Sequence, residues 1–237
     1  MPTSPLTFLG FGFVLGIRHA LDVDHLAAVS TIVSGRRGFW GSSLVGACWG
    51  LGHSAALLVA AAIVIAFHAG IPARLAQGLE LGVAVMLVAL GVNLLRTLWS
   101  GGTLHHHAHV HGGRRHVHPH MHESDAALAD HDHGAWSARR PFLVGLVHGL
   151  AGSGGLMLAV VAAIPTPALA LAYVGVFGIG ALAGMALMSA LLGLPLLLTG
   201  RRFRHAQVAL ATCAALGSVA IGLLLAGEIV LHGRAAL

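Results

Sequence analysis

Apolar runs of about twenty residues or more recur along the whole chain, and that is the length an α-helix needs to cross about 30 Å of bilayer hydrocarbon. They lie near Leu6 to Val33, Gly41 to Phe67, Leu79 to Trp99, Phe142 to Ile164, Ala168 to Leu198 and Ala206 to Leu231. The expected fold class is therefore an all-α integral membrane protein of about six transmembrane helices. Composition agrees, since 57% of the 237 residues are hydrophobic and only 9% are charged, too few for the surface of a soluble domain. Membrane lipid is the first partner this implies. The N-terminal stretch from Met1 to Leu9 has no basic region and runs into Arg18 and His19, so no cleaved leader is expected.

Several function classes fall away on composition. All 13 basic residues are arginine, and a P-loop needs a lysine on the phosphates, so any ATP would have to be hydrolysed by a partner. The net charge of +5 reflects arginine-rich loops in a membrane protein, and nucleic acid is not an expected partner. The two cysteines, Cys48 and Cys213, sit inside apolar runs and read as small buried hydrophobes, leaving the redox compartment undetermined. No prosthetic group is implied.

Arginine placement orients the chain. Arg36 and Arg37, then Arg114, Arg115, Arg139 and Arg140, then Arg201, Arg202 and Arg204 follow the first, third and fifth runs, whereas Arg74 and Arg234 fall on the opposite side. The positive-inside rule puts the first group in the cytoplasm and both termini outside, across a bacterial inner membrane. The halves also look related: residues 16 to 21 align with 145 to 150, and Trp49-Gly50-Leu51-Gly52 with Phe177-Gly178-Ile179-Gly180. Three spans per half is an odd number, so two such repeats would insert with inverted topology and meet about an axis in the membrane plane, where a substrate site is expected. This divides the chain into a first membrane repeat (1–99), a His-rich cytoplasmic loop (100–140) and a second repeat (141–237). His19 and His148 become pseudo-symmetric mates.

The first run contains Arg18-His19-Ala20-Leu21-Asp22-Val23-Asp24-His25. Each Asp or Arg at a helix centre costs roughly 2.5–3.5 kcal/mol on insertion, about 8–10 for these three, so the segment must face a protein interior or water. At about 100° per residue His19, Asp22 and His25 share one broad face, while Asp24 points away unless the helix is broken there. Imidazoles with carboxylates suit nickel, cobalt, zinc or copper. An ion-pair network of Arg18 with the aspartates is the competing reading. The second run adds His53, either a further ligand or a hydrogen-bonded packing residue.

The fourth run contains His148, followed by a glycine-rich stretch to Gly155 that suits either an unwound helix or close packing. Gly180, Gly184 and Ser189 read as packing positions, and Glu80 and Glu228 as interfacial charges. Between them the loop from Leu104 to His133 holds His105, His106, His107, His109, His111, His116, His118, His120, His122, His131 and His133. Such a biased segment is expected to be disordered and to bind metal as an accessory, unless it is tolerated low-complexity sequence.

Residues 18 to 25 match the signature Arg-His-Ala-x-Asp-x-Asp-His of the nickel and cobalt transporter family at every fixed position, and the chain resembles that family. Residues 51 to 54 match its next motif, Leu-Gly-His and a small polar residue, and the long mid-chain loop corresponds as well. The resemblance implies transport of Ni2+ or Co2+ through His19, Asp22, Asp24, His25 and His53, and the shorter branch similar to urease-accessory nickel permeases. With eighteen residues before His19, the family's first helix is expected to be missing. In the second half residues 148 to 155 carry no carboxylate, and Ser189 stands where the family has an aspartate. Metalloenzyme-maturation proteins and a second copy of the chain are the candidate protein partners.

The expected function is thus metal permeation, in the direction of uptake, at a site of His19, Asp22, Asp24, His25, His53 and His148. The same parts would serve an efflux protein, as in the related His-rich exporters. A membrane metal sensor or store is a further alternative. An intramembrane metalloenzyme is disfavoured, because no His-Glu-x-x-His pair occurs, and the chain is not expected to be an enzyme.

Overall fold

A computed structural model of the protein describes residues 5–33, 39–67, 72–100, 105–111, 114–120, 135–151, 161, 164, 166–198 and 204–235. Among them α1 runs over Pro5–His19, α2 over Val23–Val33, α3 over Phe39–Phe67 and α4 over Ala73–Trp99; after a hairpin of β1 (His105–His111) and β2 (Arg114–His120) come α5 (Ala135–Ala151), α6 (Pro167–Leu198) and α7 (Arg204–Ala235). Four stretches are long and apolar enough to cross a bilayer: Phe39–Phe67, Arg74–Trp99, Pro167–Leu194 and Val208–Leu231. A fifth crossing is available if the bent pair α1 and α2 acts as one broken span. The protein is a multi-pass membrane protein.

Four of the six expected runs lie within single helices, α3, α4, α6 and α7. The first does not, because its helix stops at His19 and restarts at Val23. The fourth begins within α5, but most of its second half lies outside the described residues. Helix α5 also starts at Ala135, inside the stretch read as loop, and carries Arg139 and Arg140 before the apolar part. Hydrophobicity marks where a helix meets lipid, not where its hydrogen bonding begins.

The loop also departs from expectation. Part of the segment read as disordered is an antiparallel hairpin, its backbone pairing His105 with His120, His107 with His118 and His109 with His116. Alternation gives the segment a period of two, the repeat of a strand.

Helices α3 and α6 form the centre, with α5 against α3, α1 against α6, and α4 paired with α7; α2 reaches α7. Glycines permit the closest crossings. A Cβ on Gly16 would run into the Phe177 carbonyl, and one on Gly145 into the Trp49 carbonyl. Gly180 and Gly184 pack on α1 in the same way, as expected. Trp49, Leu87, Met185, Val83 and Val174 fill the interior. Cys48 is half-buried, but Cys213 is exposed on α7, because a span's outer face is apolar for lipid and an apolar setting does not imply an interior position.

Away from the histidines, serine hydroxyls link helices at two places among the described residues. Ser54 Oγ donates to the Gly178 carbonyl at 2.9 Å and Ser218 Oγ to the Leu87 carbonyl at 2.8 Å. Interhelical hydrogen bonds in bilayers average about 0.6 kcal/mol, so Ser218→Ala should lower stability by about that amount. Thermal unfolding in detergent checks this.

Candidate metal centre

The break between α1 and α2 builds the site. The chain turns by 56° there, and the Leu21 and Asp22 amides bond to the Arg18 and His19 carbonyls at 2.9 and 3.0 Å, tightening the last turn. The Asp22 carbonyl then accepts from the Leu26 amide at 3.0 Å and starts α2. Arg18 and His19 thus end one helix and Asp24 opens the next, which is the charge placement that helix dipoles favour. The break also swings Asp24, which a straight helix would direct away, onto the same cluster as its neighbours.

Each of three imidazoles is held by a carboxylate. His19 Nδ1 lies 2.7 Å from Asp22 Oδ2, His25 Nδ1 lies 3.0 Å from Asp24 Oδ1, and His148 Nε2 lies 3.0 Å from Asp24 Oδ2. An ionised carboxylate only accepts, so these nitrogens donate, and in a neutral ring the opposite nitrogen presents a lone pair. His53 completes the set from α3, its Nε2 3.1 Å from His19 Nε2. All four histidines are buried, while the Asp24 side chain is 26% exposed and that of Asp22 50%.

Two groups of ligand atoms result, each with its members within 4.8 Å of one another: His19, His25 and His53, and Asp24, His25 and His148. Asp22 belongs to neither group and touches the first through His19. Among the described residues His25 Nε2, His53 Nδ1 and His148 Nδ1 are buried without a hydrogen-bond partner. Unpartnered buried nitrogens cost about 1–3 kcal/mol each in an apolar interior, which is what an ion or water brought to them would recover. Arg18 is exposed and pairs with neither aspartate among the described residues, so the alternative of an arginine network is not what holds them.

Sequence reasoning missed the aromatic walls. Trp49 lies 5.3 Å from the His25 ring and 5.6 Å from His148, and Phe177 lies 5.5 Å from His19. The signal was available, since Trp49 stands one turn before His53 on α3. These rings pack against three of the four imidazoles. Of the loop histidines, residues 105, 106, 107, 109 and 111 fall on β1 and 116, 118 and 120 on β2; His122, His131 and His133 lie outside the described residues.

Long apolar helices packed around a cluster of imidazoles and carboxylates define a class: a multi-pass membrane protein with four buried histidines gathered in its interior. Over 205 residues the chain is 33% identical to the urease accessory protein UreH of Bacillus sp. (strain TB-90), a match covering 84% of this chain and 82% of that protein. The chain belongs to the family of that accessory protein. The match to an accessory protein agrees with the expectation that the chain is not an enzyme. No family model and no solved structure matches it.

Proposed function

We propose that the protein is a permease that takes up a divalent transition metal, Ni2+ or Co2+, across the bacterial inner membrane, with His19, Asp24, His25, His53 and His148 replacing the ion's water and Asp22 orienting His19. The observation that carries this is the pair of three-ligand groups, buried, carboxylate-oriented and placed among apolar helices. Charged and polar groups there are expensive, and they mark ion pathways. The resemblance to nickel and cobalt transporters and the urease accessory relative both favour nickel.

Reciprocal contacts support an inverted repeat around this site. Gly16 meets Phe177 as Gly145 meets Trp49, and Gly180 meets Phe13 as Gly52 meets Phe142. The His19–Phe177 pair likewise matches the His148–Trp49 pair, at 5.5 and 5.6 Å. In this reading the arginine-rich loops face the cytoplasm and both termini face outward.

Nickel accumulation in cells with and without the protein tests the function. A rise is expected; a fall means efflux, and no difference, repeated with purified protein in liposomes, rejects transport altogether. The loop is assigned a modulating role, since histidines on a tether raise local ion concentration but offer no route through hydrocarbon. Replacing residues 104 to 133 with a flexible linker of similar reach should therefore preserve saturating flux and raise the metal concentration needed for half of it. A correctly inserted deletion with no flux at any concentration would place the loop on the path.

A further inference from the structure

The two groups of ligand atoms are not separate, because His25 belongs to both. Its ring lies 4.3 Å from that of His19 on one side and 4.3 Å from that of His148 on the other. Its Nδ1 edge faces Asp24 Oδ1, and its Nε2 is buried without a partner among the described residues. An imidazole has one nitrogen on each edge, and a neutral ring protonates one of them. A single ring can thus offer an ion either edge, but only one at a time.

Resting on the transport reading, we propose that the cluster is two overlapping ion sites that share the His25 ring, and that one ion passes between them by changing edges of that ring. In the first site the ion sits on His25 Nε2 with His19 and His53, while the proton on His25 Nδ1 stays bonded to Asp24. Binding there replaces the His19–His53 contact, and any proton shared between those two rings has His53 Nδ1, unpartnered among the described residues, to occupy. In the second site the ion takes His25 Nδ1, Asp24 and His148 Nε2. The protons displaced from His25 and His148 then reside on His25 Nε2 and His148 Nδ1, the second of which is likewise buried and unpartnered. Each ring keeps one proton and Asp24 stays ionised, so the handover leaves the charge of the cluster unchanged.

Overlap has consequences that two independent sites, or one composite site, would not. Double occupancy would require an imidazolate at His25, so the cluster holds one ion. Either half alone still supplies three ligands, so losing His53 leaves the second site and losing His148 leaves the first. Passage, however, needs both halves.

The test is equilibrium binding of Ni2+ to the full-length purified protein, measured as ions bound per chain, with flux in liposomes read separately. Wild type, His53→Asn, His148→Asn and the double variant are compared; asparagine fills most of the imidazole volume, and alanine at the same positions repeats each measurement. The double variant sets the background from the loop histidines. Wild type and both single variants should each exceed that background by one ion, the single variants with at least tenfold weaker affinity, and neither single variant should carry flux. Wild type exceeding background by two ions, or either single variant falling to background, overturns the shared-ring account even where wild-type flux is normal. Binding as expected with no wild-type flux of any metal in either direction instead overturns the transport reading on which the handover rests.

Discussion

Cells carrying His25→Asn should accumulate no more nickel than cells without the protein, although the variant reaches the membrane in normal amount. His25 is a member of both ligand groups, so its loss leaves each with two donors at most. Asparagine can still place an amide donor near Asp24, where His25 Nδ1 now lies at 3.0 Å, but it has nothing to put where Nε2 was. Insertion is not at risk, since the substitution adds no charge to a segment that already tolerates Asp24. Uptake and the quantity of protein in the membrane fraction are the two measurements. Wild-type uptake with asparagine at this position would remove His25 from the path and with it both proposed sites.

Gly52→Val should be nearly as damaging for a different reason. A Cβ at Gly52 would strike the Phe142 carbonyl, backbone that cannot rotate aside, so α3 and α5 must separate. Overpacking of this kind costs about 1–3 kcal/mol. It also moves His53 away from His148, whose rings are 5.9 Å apart, and so loosens the cluster from within. Thermal unfolding in detergent should show the loss of stability, and nickel uptake should fall steeply. Gly82→Val is the control, because among the described residues nothing beyond its own stretch of helix lies within 4 Å of a Cβ there, and it should change stability by less than about 0.5 kcal/mol. Equal stability of the two variants would mean that α3 and α5 do not meet at Gly52.

Much of the site is legible from residue chemistry alone. Arginine, aspartate and histidine at positions 18 to 25 are so costly in an apolar run that they single themselves out, and His53 does the same in α3. Asp24 was the difficult member. Helical periodicity directs it away from His19 and His25, and only the break at residues 20–22 brings it within 3.0 Å of both His25 and His148. Asp22 was legible as polar but not as a partner, and the structure gives it to His19 rather than directly to either ligand group. Trp49 and Phe177 were read as matching positions of a repeat, which said nothing of the imidazoles they wall. The hairpin in the His-rich segment had a signal in its alternating histidines, but its biased composition pointed to disorder, and a count of histidines carries no register, whereas strand pairing depends on which residue stands opposite which.

The sequence by itself determined that the chain lives in a bilayer and which residue types gather there, because hydrocarbon penalises every polar group independently of its neighbours. The arginine asymmetry is of the same kind, since it sums over loops and needs no contacts. Tertiary structure decided which nitrogen faces which oxygen, that Arg18 stands apart from the aspartates, and that one histidine ring serves two groups of ligands. Those facts depend on where α1, α2, α3 and α5 cross, and crossings are set by backbone approaching backbone at glycines such as Gly52, Gly145 and Gly149, over distances that composition and periodicity do not encode.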